Sequence, residues 1–205
     1  LGDLAVAIDA PAAGRADLGL RPRARARSRV VTAVAVRRAV PADAAAIARV
    51  HVVGWHEAYT GRMPQSILDR LDLDRLTRVR GELLGHEQRL DERQSAVPAG
   101  TERTHDLGRT WVAVISGTIV GFAVSGSSRD DPPAAPLELY AIYVLAAHYG
   151  TGAGQALLDA ALGDEPASLW VLADNPRARA FYARNGFRPD GAVKDDTSWG
   201  ETISE

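Results

Sequence analysis

The rhythm of apolar and polar positions changes several times along this chain, and each change predicts an element. Val34-Ala35-Val36-Arg37-Arg38-Ala39 alternates at period two, as a half-buried strand does. Pro41-Ala42-Asp43 then opens a helix whose apolar side carries Ile47, Val50, His51, Gly54, Trp55 and Ala58. From Gln65 to Leu90 an apolar stripe with a densely charged opposite side predicts one or two amphipathic helices. Gln94 to Arg109, with Pro98, Gly100 and no period, predicts a mobile loop. Thr110–Ile115 and Thr118–Ser125, joined by Ser116-Gly117, read as a hairpin. Ser127 to Pro136 is rich in turn residues and leads into an apolar and aromatic run, Glu138–Val144, that reads as a buried strand.

The stretch from that strand to Phe187 organises the rest. Tyr149-Gly150-Thr151-Gly152-Ala153-Gly154 runs straight into a helical pattern, Gln155–Leu162. Glycines at alternate positions leave little bulk between backbone and ligand. They also set unpaired N–H groups at a helix N-terminus, which makes an anion cradle suited to a phosphate or pyrophosphate. Ser168–Ala173 reads as a second buried strand. It ends at Asp174-Asn175-Pro176, and a helix follows to Arg184, with Asn175 fitting the N-cap, Pro176 the first helical position and Gly186 the C-cap side.

Composition narrows the setting. The chain has 205 residues, 46% of them hydrophobic, with 24 basic and 26 acidic residues and a net charge of −2. That suits one domain with a sizeable core, set here at 34–205, behind an Ala/Arg/Pro-rich extension at 1–33. The extension carries six arginines against three aspartates, and it is read as non-catalytic. With no cysteine, disulfides, thiolate metal sites and a cysteine nucleophile are excluded. His51 and His56 lack the spacing and third ligand of a metal site, so no metal is expected. No apolar run is long enough to span a bilayer and no leader pattern opens the chain, so the expected location is cytoplasmic, with no membrane or nucleic-acid partner.

Glu138–Gly154 and Asn175-Pro176-Arg177-Ala178-Arg179-Ala180-Phe181-Tyr182 with Gly186-Phe187 occur in the order and separation of two motifs of the GNAT superfamily, the acetyl-CoA-dependent N-acetyltransferases, which the chain resembles. Trp55, Ala58, Tyr59, Gly61 and Pro64 resemble the end of the first helix in a subset of that superfamily. The resemblance implies an α/β fold in three layers: a mixed, mostly antiparallel, twisted sheet, splayed between two parallel strands and flanked by helices. It also implies one further strand, which Glu201–Glu205 would open at the chain's end.

What the resemblance implies for the site is specific. Acetyl-CoA is the expected co-substrate, its pyrophosphate on Tyr149, Gly150, Thr151, Gly152, Ala153, Gly154 and Gln155. Its pantetheine would lie in the gap between the splayed strands, against Ile142, Tyr143 and Val144 on one side and Asn175 and Arg179 on the other. A main-chain N–H near Tyr143 would polarise the carbonyl, and Tyr182 would stabilise the departing thiolate. Position 149 departs from the family, which usually has Arg or Gln there. Glu138 is the first candidate for the base, because period two puts it on one strand face with Tyr140 and Ile142. Asp174 and His148 are the alternatives. Trp55 and Tyr59 would border the amine.

The expected reaction is direct acetyl transfer to the primary amine of a small molecule, by a chain that forms homodimers. Acetylation of protein lysines or N-termini, or acyl-CoA binding without catalysis, are the alternatives. A dinucleotide-binding oxidoreductase is the rival from another class, since Asp174 follows Gly154 at the distance of a ribose-binding acid. The third glycine of that fingerprint is missing in both possible frames, and five residues separate Val144 from Gly150.

Overall fold

A computed structural model describes residues 33–95 and 108–193, together with the backbone pairs 9–10, 195–196 and 203–204; 94–95 are likewise described as backbone alone. The remaining part of the 1–33 extension, of the loop predicted before Arg109 and of the C-terminal tail lies outside the described residues.

The elements run β1 (Asp9–Ala10), β2 (Ala35–Arg38), α1 (Ala44–Tyr59), α2 (Gln65–Leu68), α3 (Leu73–Ser95), β3 (Arg109–Ile115), β4 (Thr118–Ser127), β5 (Leu137–Val144), α4 (Ala153–Leu162), β6 (Ala167–Trp170), α5 (Pro176–Arg184), β7 (Asp195–Asp196) and β8 (Ile203–Ser204). Six strands form one sheet in the order β1-β6-β5-β4-β3-β2, antiparallel everywhere except between β5 and β6. The mixed sheet with helices on its faces is the α/β fold expected from the sequence. The predicted hairpin is present, and Ser116 (φ 49°) and Gly117 (φ 79°) make the primed turn that matches the twist of its strands.

Two apolar clusters sandwich the sheet. On one face Val112, Phe122, Val124, Ala141 and Tyr143 pack against Ile47, Val50 and Trp55 of α1, Ile67 and Leu68 of α2 and Leu84 of α3. On the other, Ala113, Val120, Ala123, Leu139 and Leu169 meet Leu157, Leu158 and Leu162 of α4 and Tyr182 of α5. Half-buried Glu87 ties α3 to the sheet: its carboxylate accepts from Thr110 N–H at 2.9 Å and Thr110 Oγ1 at 2.7 Å.

Some boundaries differ from the sequence reading. The Gln65–Leu90 stripe divides into a single turn and a long helix that continues to Ser95, into the segment predicted as loop. Ile203–Ser204 pairs with Asp195–Asp196 in a separate ribbon rather than with the main sheet, and Asp9–Ala10 lines the outer edge of β6. No helix among the described residues is long and apolar enough to cross a membrane.

Candidate functional site

The site grows from one irregularity in β5. Val124 lies opposite Ala141 and Ser125 opposite Leu139, so Tyr140 is an extra residue, a β-bulge. Parallel pairing with β6 stops at the same point: Leu137 faces Ala167, Glu138 faces Ser168, and no later residue of β5 pairs with β6. Beyond the bulge the two strands part and leave one edge of β5 open.

Strand alternation decides which main-chain groups reach that opening. Leu145 N–H donates to the Val120 carbonyl at 2.9 Å, and Tyr143 lies opposite Phe122 two residues earlier in the same register. Tyr143 therefore turns both its backbone groups toward β4. Ile142 and Val144, in the intervening pairs, turn theirs toward the gap. This corrects the expectation that a Tyr143 amide faces a ligand there. Tyr143 contributes its side chain instead.

At the end of β5 a short 3-10 turn, Ala146–His148, leads to the glycine turn. Gly152 has φ 92° and caps α4 in the left-handed region, which a residue with a Cβ rarely adopts. Thr151 Oγ1 donates to the His148 carbonyl at 2.7 Å and receives the Ala153 N–H at 3.4 Å, so its hydroxyl shapes the turn. The next amides of α4 are left at the helix N-terminus, where the dipole adds positive potential.

A cavity of about 720 Å³ runs from this turn to the C-terminal end of α1. Gly150, Gly152, Ala153, Gly154 and Gln155 line it from the glycine turn, Ile142, Tyr143 and Val144 from β5, and Tyr59 from α1. Tyr182 and Phe181 of α5 close the side. Three phenols from three elements thus converge. Tyr182 is 2% exposed and sits edge-on to Phe181 and Phe187, with ring centroids 5.3 and 5.8 Å away. Burial pushes its pKa well above the usual tyrosine value, and Tyr59 adds to the shift. Burial does the same for Tyr143, followed by Tyr59, whose phenol also faces it.

Several residues singled out in the sequence sit elsewhere. Glu138 is 1% exposed and does not line the cavity; both of its oxygens bind Arg129, and Oε2 also accepts the Arg129 backbone N–H at 2.8 Å. The bulge shifts the alternation, so Glu138 shares a face with Tyr140 but not with Ile142. Its carboxylate anchors the β4–β5 connection where β5 begins to leave β6, which removes it as the base. Trp55, 1% exposed, packs behind Tyr59 with ring centroids 5.4 Å apart and does not line the cavity. Arg179 turns away to the Ala173 carbonyl at 3.3 Å. Asn175 does line the cavity, and its Oδ1 accepts the Ala178 N–H at 3.1 Å as the predicted N-cap. Of the alternative bases, His148 lines the cavity and Asp174 does not.

The sequence reading missed Glu57, Arg62, Arg177 and Arg184, all on the cavity wall. Glu57 Oε2 accepts the Ala146 N–H at 2.7 Å, a contact 89 residues long in sequence that no local pattern signals. Arg177 and Arg184 were legible: seven residues apart in one helix, with Phe181 between them at i+4, they share a face that Arg179 does not.

Comparison with known proteins agrees with this geometry. The acetyltransferase (GNAT) domain pattern matches residues 106–189. The probable N-acetyltransferase Rv2775 of Mycobacterium tuberculosis is 25% identical over 161 residues, covering 77% of this chain and 82% of that protein. The uncharacterized N-acetyltransferase YuaI of Bacillus subtilis is 27% identical over 169 residues, covering 80% and 84%. Among solved structures, the PaiA N-acetyltransferase from Thermoplasma acidophilum in complex with coenzyme A superposes with a TM-score of 0.53 at 16% identity, covering 84% of this chain and 96% of that one. The GCN5-related N-acetyltransferase from Ralstonia eutropha JMP134 gives 0.55 at 18%, covering 81% and 99%. Residues 106–189, which run from β3 to α5 and hold the bulge, the glycine turn and the capped helix, match the GNAT acetyltransferase domain, and most of the chain's length is similar to N-acetyltransferases.

Proposed function

We propose that this protein is an N-acetyltransferase that moves the acetyl group of acetyl-CoA directly to the primary amine of a small molecule. One observation carries the reading: the glycine turn, the open edge of β5 and the protonated phenol of Tyr182 line a single cavity. Its residues fit the coenzyme. The turn offers main-chain N–H groups, and the walls add Arg62, Arg177 and Arg184 against one carboxylate, Glu57, so the lining favours phosphate. Unpaired edge groups on Ile142 and Val144 suit an extended amide chain. The names of both relatives, and the coenzyme A held by the PaiA structure, support the same reading.

Acetyl-CoA supplies an acyl group activated as a thioester. An amide N–H on the open edge, at Ile142 or Val144, donates to the acyl oxygen, and oxyanion-type donors of this kind contribute about 2.7–4 kcal/mol. Tyr182 holds its O–H proton toward the departing sulfur. A thiol titrates at about 8.5 and a free tyrosine at about 10, and burial widens that gap. Full proton transfer from the phenol is therefore uphill, and its part is that of a hydrogen-bond donor. Glu57 replaces Glu138 as the carboxylate placed to take the proton from the acceptor ammonium. For a lysine-like amine, freeing the nucleophile at pH 7 costs about 4–5 kcal/mol, which a modest base can offset. Tyr59 and Tyr143 border the acceptor end. With no cysteine in the chain, no cysteine acyl-enzyme forms.

The test is release of free thiol from acetyl-CoA across a panel of small amines, aminoglycosides and peptides. Amine-dependent release with small molecules is expected. Release that no amine accelerates overturns the transferase reading, and release with peptides alone moves the acceptor to proteins.

A further inference from the structure

The glycine turn carries no charge of its own. Residues 149–155 are Tyr, Gly, Thr, Gly, Ala, Gly and Gln, so this lip of the cavity offers dipoles but no cation. A guanidinium comes from the opposite lip. Arg177, in the first turn of α5, lies over the ring of Tyr149 with its Cζ 3.1 Å from the ring centroid, and both residues line the cavity. The stack bridges the loop before α4 to the start of α5. Cation–π contact holds the guanidinium plane in place while leaving its N–H donors at the rim unused. Arg177 makes no hydrogen bond or ion pair with any of the described residues, whereas Arg62 and Arg179 each spend a donor on a backbone carbonyl.

We propose that Arg177, held over the ring of Tyr149, is a side-chain cation that grips the diphosphate of the coenzyme in this protein. The inference rests on the acetyl-CoA reading above and adds to it a residue and the platform that orients it. The planar fork suits bidentate contact with phosphate oxygens. Arg177 and Gly150 line the same cavity, and Tyr149 directly precedes the turn, so side chain and main chain serve one anion site. Tyr149 acts through Arg177 and is a positioning residue.

Calorimetric titration of the full chain with coenzyme A, dephospho-coenzyme A and 4′-phosphopantetheine separates the possibilities without recourse to turnover. Arg177→Ala is expected to weaken coenzyme A and dephospho-coenzyme A by the same factor, roughly 10- to 100-fold, the range of hydrogen bonds to charged groups. The loss should shrink in 0.5 M salt. 4′-Phosphopantetheine, with one phosphate and no nucleotide, should lose less. Tyr149→Phe keeps the ring and is expected to bind as the wild type does, whereas Tyr149→Ala loses several-fold. Unchanged thermal unfolding of the variants shows that they are folded. Wild-type-like affinity in Arg177→Ala overturns the inference alone, and so does a loss seen with coenzyme A but not with dephospho-coenzyme A, which would move Arg177 to the 3′-phosphate. A wild-type protein that binds no coenzyme overturns the acetyl-CoA reading together with this one.

Discussion

In the mechanism proposed above Tyr182 and Glu57 divide the proton work, and single substitutions separate them from residues that only hold the fold. Tyr182→Phe keeps the ring packing against Phe181 and Phe187 and removes the O–H. It should lower kcat at least tenfold while the coenzyme dissociation constant stays within twofold; equal kcat in the two proteins removes the phenol from the reaction. Glu57→Gln should lower turnover by about 10²-fold, the lower end for general acid–base groups. Glu138→Ala should act on stability instead. It strips a buried carboxylate from Arg129, whose side chain is 38% exposed and can rehydrate, so the cost should be about 2–3 kcal/mol, below that of a wholly buried pair. Denaturant unfolding of Glu138→Ala beside its kcat decides between the two roles. Residue positions were legible where spacing is local, as for the Asn175 cap and the placement of Tyr182 on the cavity wall. They were not legible where Tyr140 inserts into the strand, because one added residue reverses the face of everything before it.

At the scale of elements, the reading from sequence worked wherever an element announces its own ends. The hairpin has its turn residues, α5 has Asn175, Pro176 and Gly186, and α4 follows its glycines directly. Long-range constraints stayed hidden, among them the Glu57 contact to Ala146 and the point at which β5 leaves β6. Gly121 shows how closely β4 and β5 approach. A Cβ there would lie 2.7 Å from the Tyr143 carbonyl oxygen and 2.9 Å from a Val144 methyl group. Gly121→Ala must push the strands apart, and overpacking of this kind costs about 1–3 kcal/mol. A fall in the unfolding midpoint together with weaker coenzyme binding is expected, since Val144 borders the cavity. An unaltered midpoint would mean that the strands can yield.

For the whole molecule, acid sensitivity follows from a group buried far from the cavity turn. His51 of α1 is 3% exposed and stacks on Tyr143 with ring centroids 5.6 Å apart, near Trp55 and Phe122. Burial first, and then the guanidinium of Arg80, lowers its pKa from 6.5 to about 3. Above pH 6.5 the folded and unfolded chains both hold it neutral, and folding loses nothing. Below pH 6.5 only the unfolded chain takes up the proton, so stability should fall by about 1.4 kcal/mol per pH unit down to about pH 3. The carboxylate of Asp43, held below its usual value by Arg37, adds to the loss only near and below pH 4. Unfolding measured at pH 7, 5.5 and 4.5 should show that slope, and His51→Phe should flatten it above pH 4.5.

The parting of β5 from β6 has a further consequence. The protein folds with a vacant lane in its own sheet, and whatever extended chain lies there acts as a temporary strand. Occupancy should therefore stiffen the molecule along that lane in a pattern of alternate residues. In hydrogen exchange with and without coenzyme A, the amides of Ile142 and Val144 should slow on loading, while that of Tyr143, already committed to β4, should keep its rate.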